Sequence, residues 1–528
     1  MPLRTTRRET IVAAAGVLVC LGAVAAFVWF HRAVLHETWS DENIHMYVAS
    51  RVAEGASLYG DIHSARPPLA LAPLVGLIAL GLKPLLAARV TVLAAILMTG
   101  AVLLWAGNRL WGRLAAVSAF VLFLLSTAVA SRASFTGINL VALWTTLCVV
   151  LVLMDRPLWA GFAGGVALMT GQHAIVVVLV SGVAQFMRRP RSSLTFAGGC
   201  LGVVVVVAGI AVALGGSDIW SDLVGRHLYH VRSGAEPEDM KLGWYTSSWL
   251  LDNLSAILPA LLALVLGTRE AFLGGLLGRL RARPTHVLAV LAMAHLLAVG
   301  LMGGGQALYL QPAFPLIALL AGAGVGRMVD IFRIDYGQEP SAKEALPSRV
   351  RTASAIALCV LAATVAGWTA SSAMYGARDG REYPVLPHLR HVEMAALQRP
   401  VVVDDIAKHA RKVLSPDGTI FGHATIADLV ALKSGRRVSA ELADFAPRWL
   451  VLGLVSRESL IERIEADNVE LFVTPNWFWT KDREFSAYLE RCYLQPVVFE
   501  RKPGSGIPRI LVFEHVRGPR PCGAGEAN

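Results

Sequence analysis

Several stretches of this chain stay apolar for about 18 residues or more, the length a helix needs to cross a bilayer core. They fall near 11–31, 90–106, 114–130, 139–154, 158–187, 194–214, 250–267, 286–302, 308–326 and 352–371, with a shorter one at 68–82. A chain carrying so many such segments has few architectures open to it, because every backbone polar group in lipid must be satisfied internally. Composition agrees: 55% of the 528 residues are hydrophobic and only 16% charged, against about a quarter in a soluble protein. The expectation is a polytopic α-helical membrane protein.

Two segments leave the span count open. The stretch 68–82 is short and has Pro67, Pro68 and Pro73 in or beside it, which suits a helix lying in the interface. The stretch 158–187 is interrupted by "TGQHA" at 170–174, so it reads as one long helix or a tight pair. Positive charge arbitrates. If 68–82 stays on one side and 158–187 crosses twice, the cytoplasmic pieces hold 18 Lys and Arg in 69 residues and the opposite loops 9 in 109. The alternative puts Arg109, Arg113 and Arg156 outside. About eleven transmembrane helices follow, in a multi-pass protein of a bacterial inner (plasma) membrane, with the N-terminus cytoplasmic and the C-terminus extracytoplasmic. The basic, then apolar, stretch Met1 to Phe30 reads as a retained signal anchor. The net charge of +10 lies in short loops where orientation needs it, so no nucleic-acid partner is implied. The six Cys lack metal-type spacing; Cys492 and Cys522 lie in the polar tail, and pairing between them stays open.

From about 388 the pattern changes. "VVVDDIAKHARKVL", "GTIFGHATIADLVALKSG" and "PRILVFEH" alternate short apolar runs with helical periods, an α/β signature. Residues 1–371 are therefore read as the transmembrane domain and 372–528 as an extracytoplasmic soluble α/β domain. The tail has no P-loop, dinucleotide fingerprint or nucleophile elbow. Trp477 and Trp479 of "NWFWTKD" are sugar-stacking candidates, or else part of a domain contact or core.

The first outer loop carries the densest chemistry. Asp41 and Glu42 open a helix that Ser40 can cap and Gly55 can close. Acids there favour the helix dipole, which is one complete account of the pair. Tyr59, Asp61, His63 and Arg66 follow, then the interfacial segment. Ionisable residues at membrane depth are costly and usually functional, so an acid pair beside a cation and a Tyr suits chemistry on a lipid-linked anion. Asp41 and His45, four apart, could supply two metal ligands. No third ligand is evident, so no cofactor is expected, and a divalent metal is the minor alternative.

"WSDE" at 39–42, "EGASLYGDI" at 54–62 and "ARPPL" at 65–69 together resemble the first outer loop of the GT-C superfamily, polytopic glycosyltransferases that use polyprenyl- or dolichyl-phosphate sugars. The likeness is to the protein O-mannosyltransferases and the lipid A aminoarabinose transferases. "RLWG" at 109–112, "LWAGFAGGVALMTG" at 158–171, "MKLGWYTSSWL" at 240–250 and "GGGQALYLQPAFPLIALLAG" at 303–322 extend it over about residues 10–330. The resemblance implies an inverting sugar transfer to a hydroxyl of a glycan, lipid or protein on the outer face. It implies Asp41 as general base and Glu42 as the neighbouring acid that orients the helix or acceptor. It implies Arg66, Gln172, His173, Arg232, Tyr245 and Tyr309 around the donor phosphate. Tyr59, Asp61 and His45 are further candidates. Two departures stand out. The family's second acid is missing from "SRASFTGIN" at 131–139, where Asn139 is the nearest polar substitute, and its usual Lys after the Gly-rich span is replaced by Gln172 and His173. Two alternatives stay open: a catalytically silent GT-C-like glycan-binding or assembly factor, and a transporter of lipid-linked sugars.

Overall fold

The computed structural model describes residues 7–31, 40–126, 129, 135–215, 256–261, 284–301, 307–333, 400–439, 455–475, 483–499 and 510–516. The segment 352–371, most of 250–267, Arg232, Tyr245, Trp477, Trp479 and Cys522 lie outside them.

The apolar segments become helices whose ends follow local chemistry. α1 spans Arg7–His31 and α2 spans Ser40–Ala53, with Asp41 and Glu42 in its first turn and Arg51 in its last. Gly55 follows at φ 105°, a left-handed residue past the helix end as expected for such a terminator. α3 (Pro68–Ala79) has Pro at its first position and only 12 residues, about 18 Å of helix at 1.5 Å per residue, too short to cross a core of about 30 Å. α4 (Pro84–Trp111), α5 (Arg113–Leu124) and α6 (Ile138–Leu153) follow.

The ambiguous 158–187 stretch is broken where "TGQHA" stands. α7 (Pro157–Thr170) ends, Gly171 turns extended, residues Gln172–Ala174 form one 3-10 turn, and α8 (Ile175–Arg188) begins. α9 (Pro190–Gly215), α10 (Pro284–Leu301), a 3-10 helix at Ala307–Ala313 and α11 (Phe314–Arg333) complete the described bundle. Among these, α4 and α9 are each long and apolar enough to cross a membrane. α9 leaves Leu194, Val205 and Leu214 bare, which suits a lipid-facing surface rather than a water-facing one.

Small residues allow α7 and α9 to touch along their backbones. A Cβ on Gly161 would lie 2.0 Å from the Phe196 carbonyl oxygen, and one on Gly165 would lie 2.6 Å from that of Cys200. Spaced four apart, the two form the small-xxx-small stripe that lets membrane helices approach without the hydrophobic effect between them.

The tail folds as expected into mixed α/β structure. α12 (Pro400–Val413), β1 (Thr419–Gly422), α13 (Ala424–Ser434), β2 (Arg437–Val438), α14 (Arg457–Ala466), β3 (Val469–Pro475), α15 (Arg483–Cys492), β4 (Val497–Phe499) and β5 (Ile510–Glu514) follow in order. The sheet runs β2-β1-β3-β5-β4. β1 pairs in parallel with β2 and β3, whereas β5 is antiparallel to β3 and β4. An aromatic cluster of Phe421, Phe472, Phe485, Tyr488, Tyr493 and Phe513 fills one side.

The two parts share a core. Met46, Val48 and Ala49 of α2 join Leu74 of α3, Ala88 of α4 and Ile426, Leu429 and Val430 of α13 in one buried apolar cluster. α2 is thus sandwiched between the membrane bundle and the α/β tail, which explains how a helix with little net apolar character is buried from Glu42 to Ser50.

Candidate functional site

α2 buries a run of polar side chains, and each burial needs a partner. Glu42 is fully buried and Arg89 of α4 nearly so. The Arg89 guanidinium engages both carboxylate oxygens, with Nη2 donating to Oε2 at 2.9 Å, and the Phe135 backbone N–H donates to Oε1 at 2.6 Å. Both ions are thus paired in the bidentate geometry that suits Arg and carboxylate. Arg89 was not singled out from the sequence. It stands inside an apolar stretch, and such a cation in a membrane protein calls for an acid partner.

Asp41 is different. Its side chain is 45% exposed, and Arg66 Nη2 lies 3.9 Å from its Oδ2. The adjacent acids thus take two separate tasks. Glu42 ties α2 to α4 and to the segment before α6, while Asp41 presents an accessible carboxylate beside a cation.

The segment between α2 and α3 positions Arg66. Tyr59 sits in the left-handed region at φ 72°, is buried, and donates its hydroxyl to the Arg66 carbonyl at 2.5 Å. Its own N–H bonds the Ile62 carbonyl at 2.9 Å. Asp61 accepts from the Ser57 N–H at 2.8 Å, and the Ser57 hydroxyl donates to the Leu214 carbonyl at 2.7 Å, fastening the turn to the end of α9. Tyr59 and Asp61 therefore build the turn that holds Arg66.

His45 lies one turn beyond Asp41, almost fully buried, with the edge of its ring toward Phe135 (centroids 6.1 Å apart). Neither ring nitrogen has a hydrogen-bond partner among the described residues. Burial, followed by the nearby Arg66 charge, holds its protonation well below the usual histidine range. Groups of His, Cys, Asp and Glu able to hold a metal are absent among the described residues.

The remaining candidates are placed as follows. Asn139, buried in α6, accepts a hydrogen bond from Gln311 Nε2 in the 3-10 helix at Ala307–Ala313. Gln172 and His173 form the half-buried 3-10 turn after α7. Tyr309 belongs to the Ala307–Ala313 helix, but its side chain is not among the described ones.

The α/β tail reaches the same helix. Asn43 Nδ2 donates to the Thr425 carbonyl at 2.7 Å, and the Val438 N–H donates to the Tyr47 hydroxyl at 2.7 Å. Burial, only partly offset by the bond to Val438, pushes the Tyr47 hydroxyl up to about 12, so it stays a neutral pin. His423, directly before α13, was missed in the sequence because nothing local marks it. It is buried, and burial pulls its protonation down to about 4 against the opposing pull of the Asp41 carboxylate. Its ring is therefore neutral at neutral pH.

The chain superposes on ArnT from Cupriavidus metallidurans bound to undecaprenyl phosphate at TM-score 0.60 and 15% identity, covering 96% of this chain and 99% of that one. The apo form of that ArnT gives TM-score 0.60 at 16% identity, over 96% and 100% of the two chains. The Archaeoglobus fulgidus oligosaccharyltransferase in the apo form matches at TM-score 0.54 and 10% identity, over 93% of this chain and 75% of that one. No family model and no curated protein matches the sequence. ArnT, a lipid A aminoarabinose transferase, and the oligosaccharyltransferase are both GT-C proteins. This chain has their polytopic membrane fold, as the motif order in its first 330 residues implied.

Proposed function

We propose that the protein is a membrane glycosyltransferase. It moves a sugar from a polyprenyl-phosphate carrier to a hydroxyl of a glycan, lipid or protein. The observation that carries the proposal is the half-exposed Asp41, 3.9 Å from Arg66, on a helix whose neighbouring acid is consumed by Arg89. Its setting supports the reading: the fold is shared with a transferase captured with undecaprenyl phosphate.

In the proposed step Asp41 takes the proton of the acceptor hydroxyl. The freed oxygen attacks the anomeric carbon from the side opposite the lipid phosphate. The bond from that carbon to the phosphate oxygen breaks, and its electron pair leaves with the phosphate, so the anomeric configuration inverts. Arg66 stabilises the phosphate charge as it develops. Glu42 keeps α2 in register and takes no proton. Gln172, His173, Arg232, Tyr245 and Tyr309 stay as proposed donor-side residues on the strength of the resemblance.

The donor side is tested by titrating the protein in nanodiscs with undecaprenyl phosphate. Arg66→Gln should weaken binding about tenfold or more, the size of a hydrogen bond to a charged group. Arg66→Lys should recover part of it, having charge without the planar fork. Equal affinity in wild type and Arg66→Gln would place the phosphate elsewhere.

We also propose that α2 and the soluble domain lie outside the cytoplasm, with about eleven spans, from the 18-to-9 division of basic residues. Glu54 and Asp417 are both exposed. In a background lacking Cys492 and Cys522, Cys at either position should react with an impermeant maleimide added to intact cells. Labelling at one position alone contradicts this topology.

A further inference from the structure

Most polar side chains that α2 buries have a partner. Glu42, Asn43, Tyr47 and Ser50 each take part in a hydrogen bond. His45 is different: both ring nitrogens are buried with no partner among the described residues, in a residue only 3% exposed. A buried polar atom left unpaired costs the full desolvation of that atom, so such a ring calls for a partner. His45 follows Glu42 by three residues and Asp41 by four, which puts it on their face of the helix, with Cβ atoms about 5–6 Å apart. Helical side chains lean toward the N-terminus, over the preceding turn, and for His45 that is the turn of the two acids. The segment before α6 packs against the same place. The Phe135 ring meets the imidazole at 82°, and the Phe135 N–H holds Glu42. Thr136, the next residue, also has a buried hydroxyl oxygen with no partner among the described residues.

We infer that His45 is a specificity-determining residue that binds a hydroxyl of the transferred sugar or of the acceptor, one helical turn from Asp41. Which molecule the hydroxyl belongs to rests on the transferase reading; the unpaired ring does not. The chemistry of the ring selects the ligand. A neutral imidazole has one N–H donor and one acceptor nitrogen, and a hydroxyl offers the complementary pair. A phosphate oxygen has no proton for the acceptor nitrogen. A cation would meet the Arg66 charge, which already opposes protonation of the ring. A metal needs further ligands, and groups of His, Cys, Asp and Glu able to hold one are absent among the described residues. Being neutral, the ring does not compete with Asp41 for the acceptor proton. It instead discriminates between ligands that differ in one hydroxyl, because a site built to bond a hydroxyl is left with unpaired polar atoms when the hydroxyl is missing.

The test uses the full chain in nanodiscs and has two arms. The first follows the histidine ring nitrogens of the wild-type protein by NMR, with the His45 signals identified by their loss in His45→Gln. The probes are undecaprenyl phosphate, undecaprenyl-phosphate hexoses and pentoses, and free monosaccharides at high concentration. The His45 signals should move with a hydroxyl-bearing probe beyond any effect of undecaprenyl phosphate alone. The second arm measures carrier binding and acceptor KM. His45→Phe keeps the aromatic contact and loses both nitrogens. It should weaken the sugar-bearing carrier by about threefold to tenfold, the size of one neutral hydrogen bond, and leave undecaprenyl phosphate unchanged. If the hydroxyl is the acceptor's, the same factor appears in the acceptor KM instead. His45→Gln, which has both a donor and an acceptor, should recover part of either loss. Ring signals that no hydroxyl-bearing probe moves, or carrier affinity and acceptor KM both at wild-type values in a folded His45→Phe, overturn the inference. If wild type transfers no sugar, the transferase reading fails, and the NMR arm with free monosaccharides still decides whether the ring takes a hydroxyl.

Discussion

Asp41→Asn is expected to leave the protein folded, able to bind undecaprenyl phosphate, and slower in transfer by about 10²–10⁴, the usual cost of losing a general base. The amide keeps the shape and polarity of the side chain but cannot accept the proton. Stability should change little, because the Asp41 side chain is 45% exposed and its cation stands at 3.9 Å, a pair of the kind worth about 1 kcal/mol or less. If Asp41 served only the helix dipole, the same change would cost at most about 1 kcal/mol of stability and leave turnover alone. Transfer in proteoliposomes at matched protein levels separates the two, and wild-type turnover in Asp41→Asn would remove the base from the proposed step.

The second large effect concerns stability, at the next residue. Glu42→Gln or Arg89→Met alone strands one buried charge, and breaking such a pair typically costs about 3–5 kcal/mol. In Glu42→Gln the Phe135 N–H keeps an acceptor, but Arg89 does not keep its counter-ion. The double change Glu42→Leu with Arg89→Met should recover most of the loss, since apolar replacements of a whole buried pair are often neutral or better. Thermal unfolding in detergent of wild type, Glu42→Leu, Arg89→Met and the double variant closes the cycle. Additive losses would show that the pair is not coupled. Turnover in the double variant bears on chemistry separately: if Glu42 only holds α2 to α4, a folded double variant retains most of its rate.

What could be read from the sequence follows from how local each signal is. The limits of α2 were legible because Ser40, Asp41, Glu42 and Gly55 are terminus chemistry within one short segment. The break at 170–174 was legible because a Gly and two polar residues interrupt an apolar run. The α/β character of the tail was legible from its change of period. Asp61 and Tyr59 were over-read: an Asp bonding a backbone N–H four residues earlier is ordinary turn chemistry, and the structure uses it so. Arg89 is legible from its isolation among apolar residues, but its partner Glu42 lies 47 residues away, beyond any local pattern. The contact between α2 and the tail was not legible. Asn43 and Thr425 are 382 residues apart, and no periodicity or motif connects the helix after α1 with a helix in the tail. Such juxtapositions come from packing, in particular from a core that α2, α4 and α13 share.

That distance along the chain has a consequence for biosynthesis. A translating ribosome makes α2 early and reaches Thr425 only after most of the chain has been made. Until then the face of α2 that packs against α13 is uncovered, and Asn43 and Tyr47 lack the partners that the tail supplies. The helix that carries Asp41 thus takes its final surroundings only when the last quarter of the polypeptide has folded.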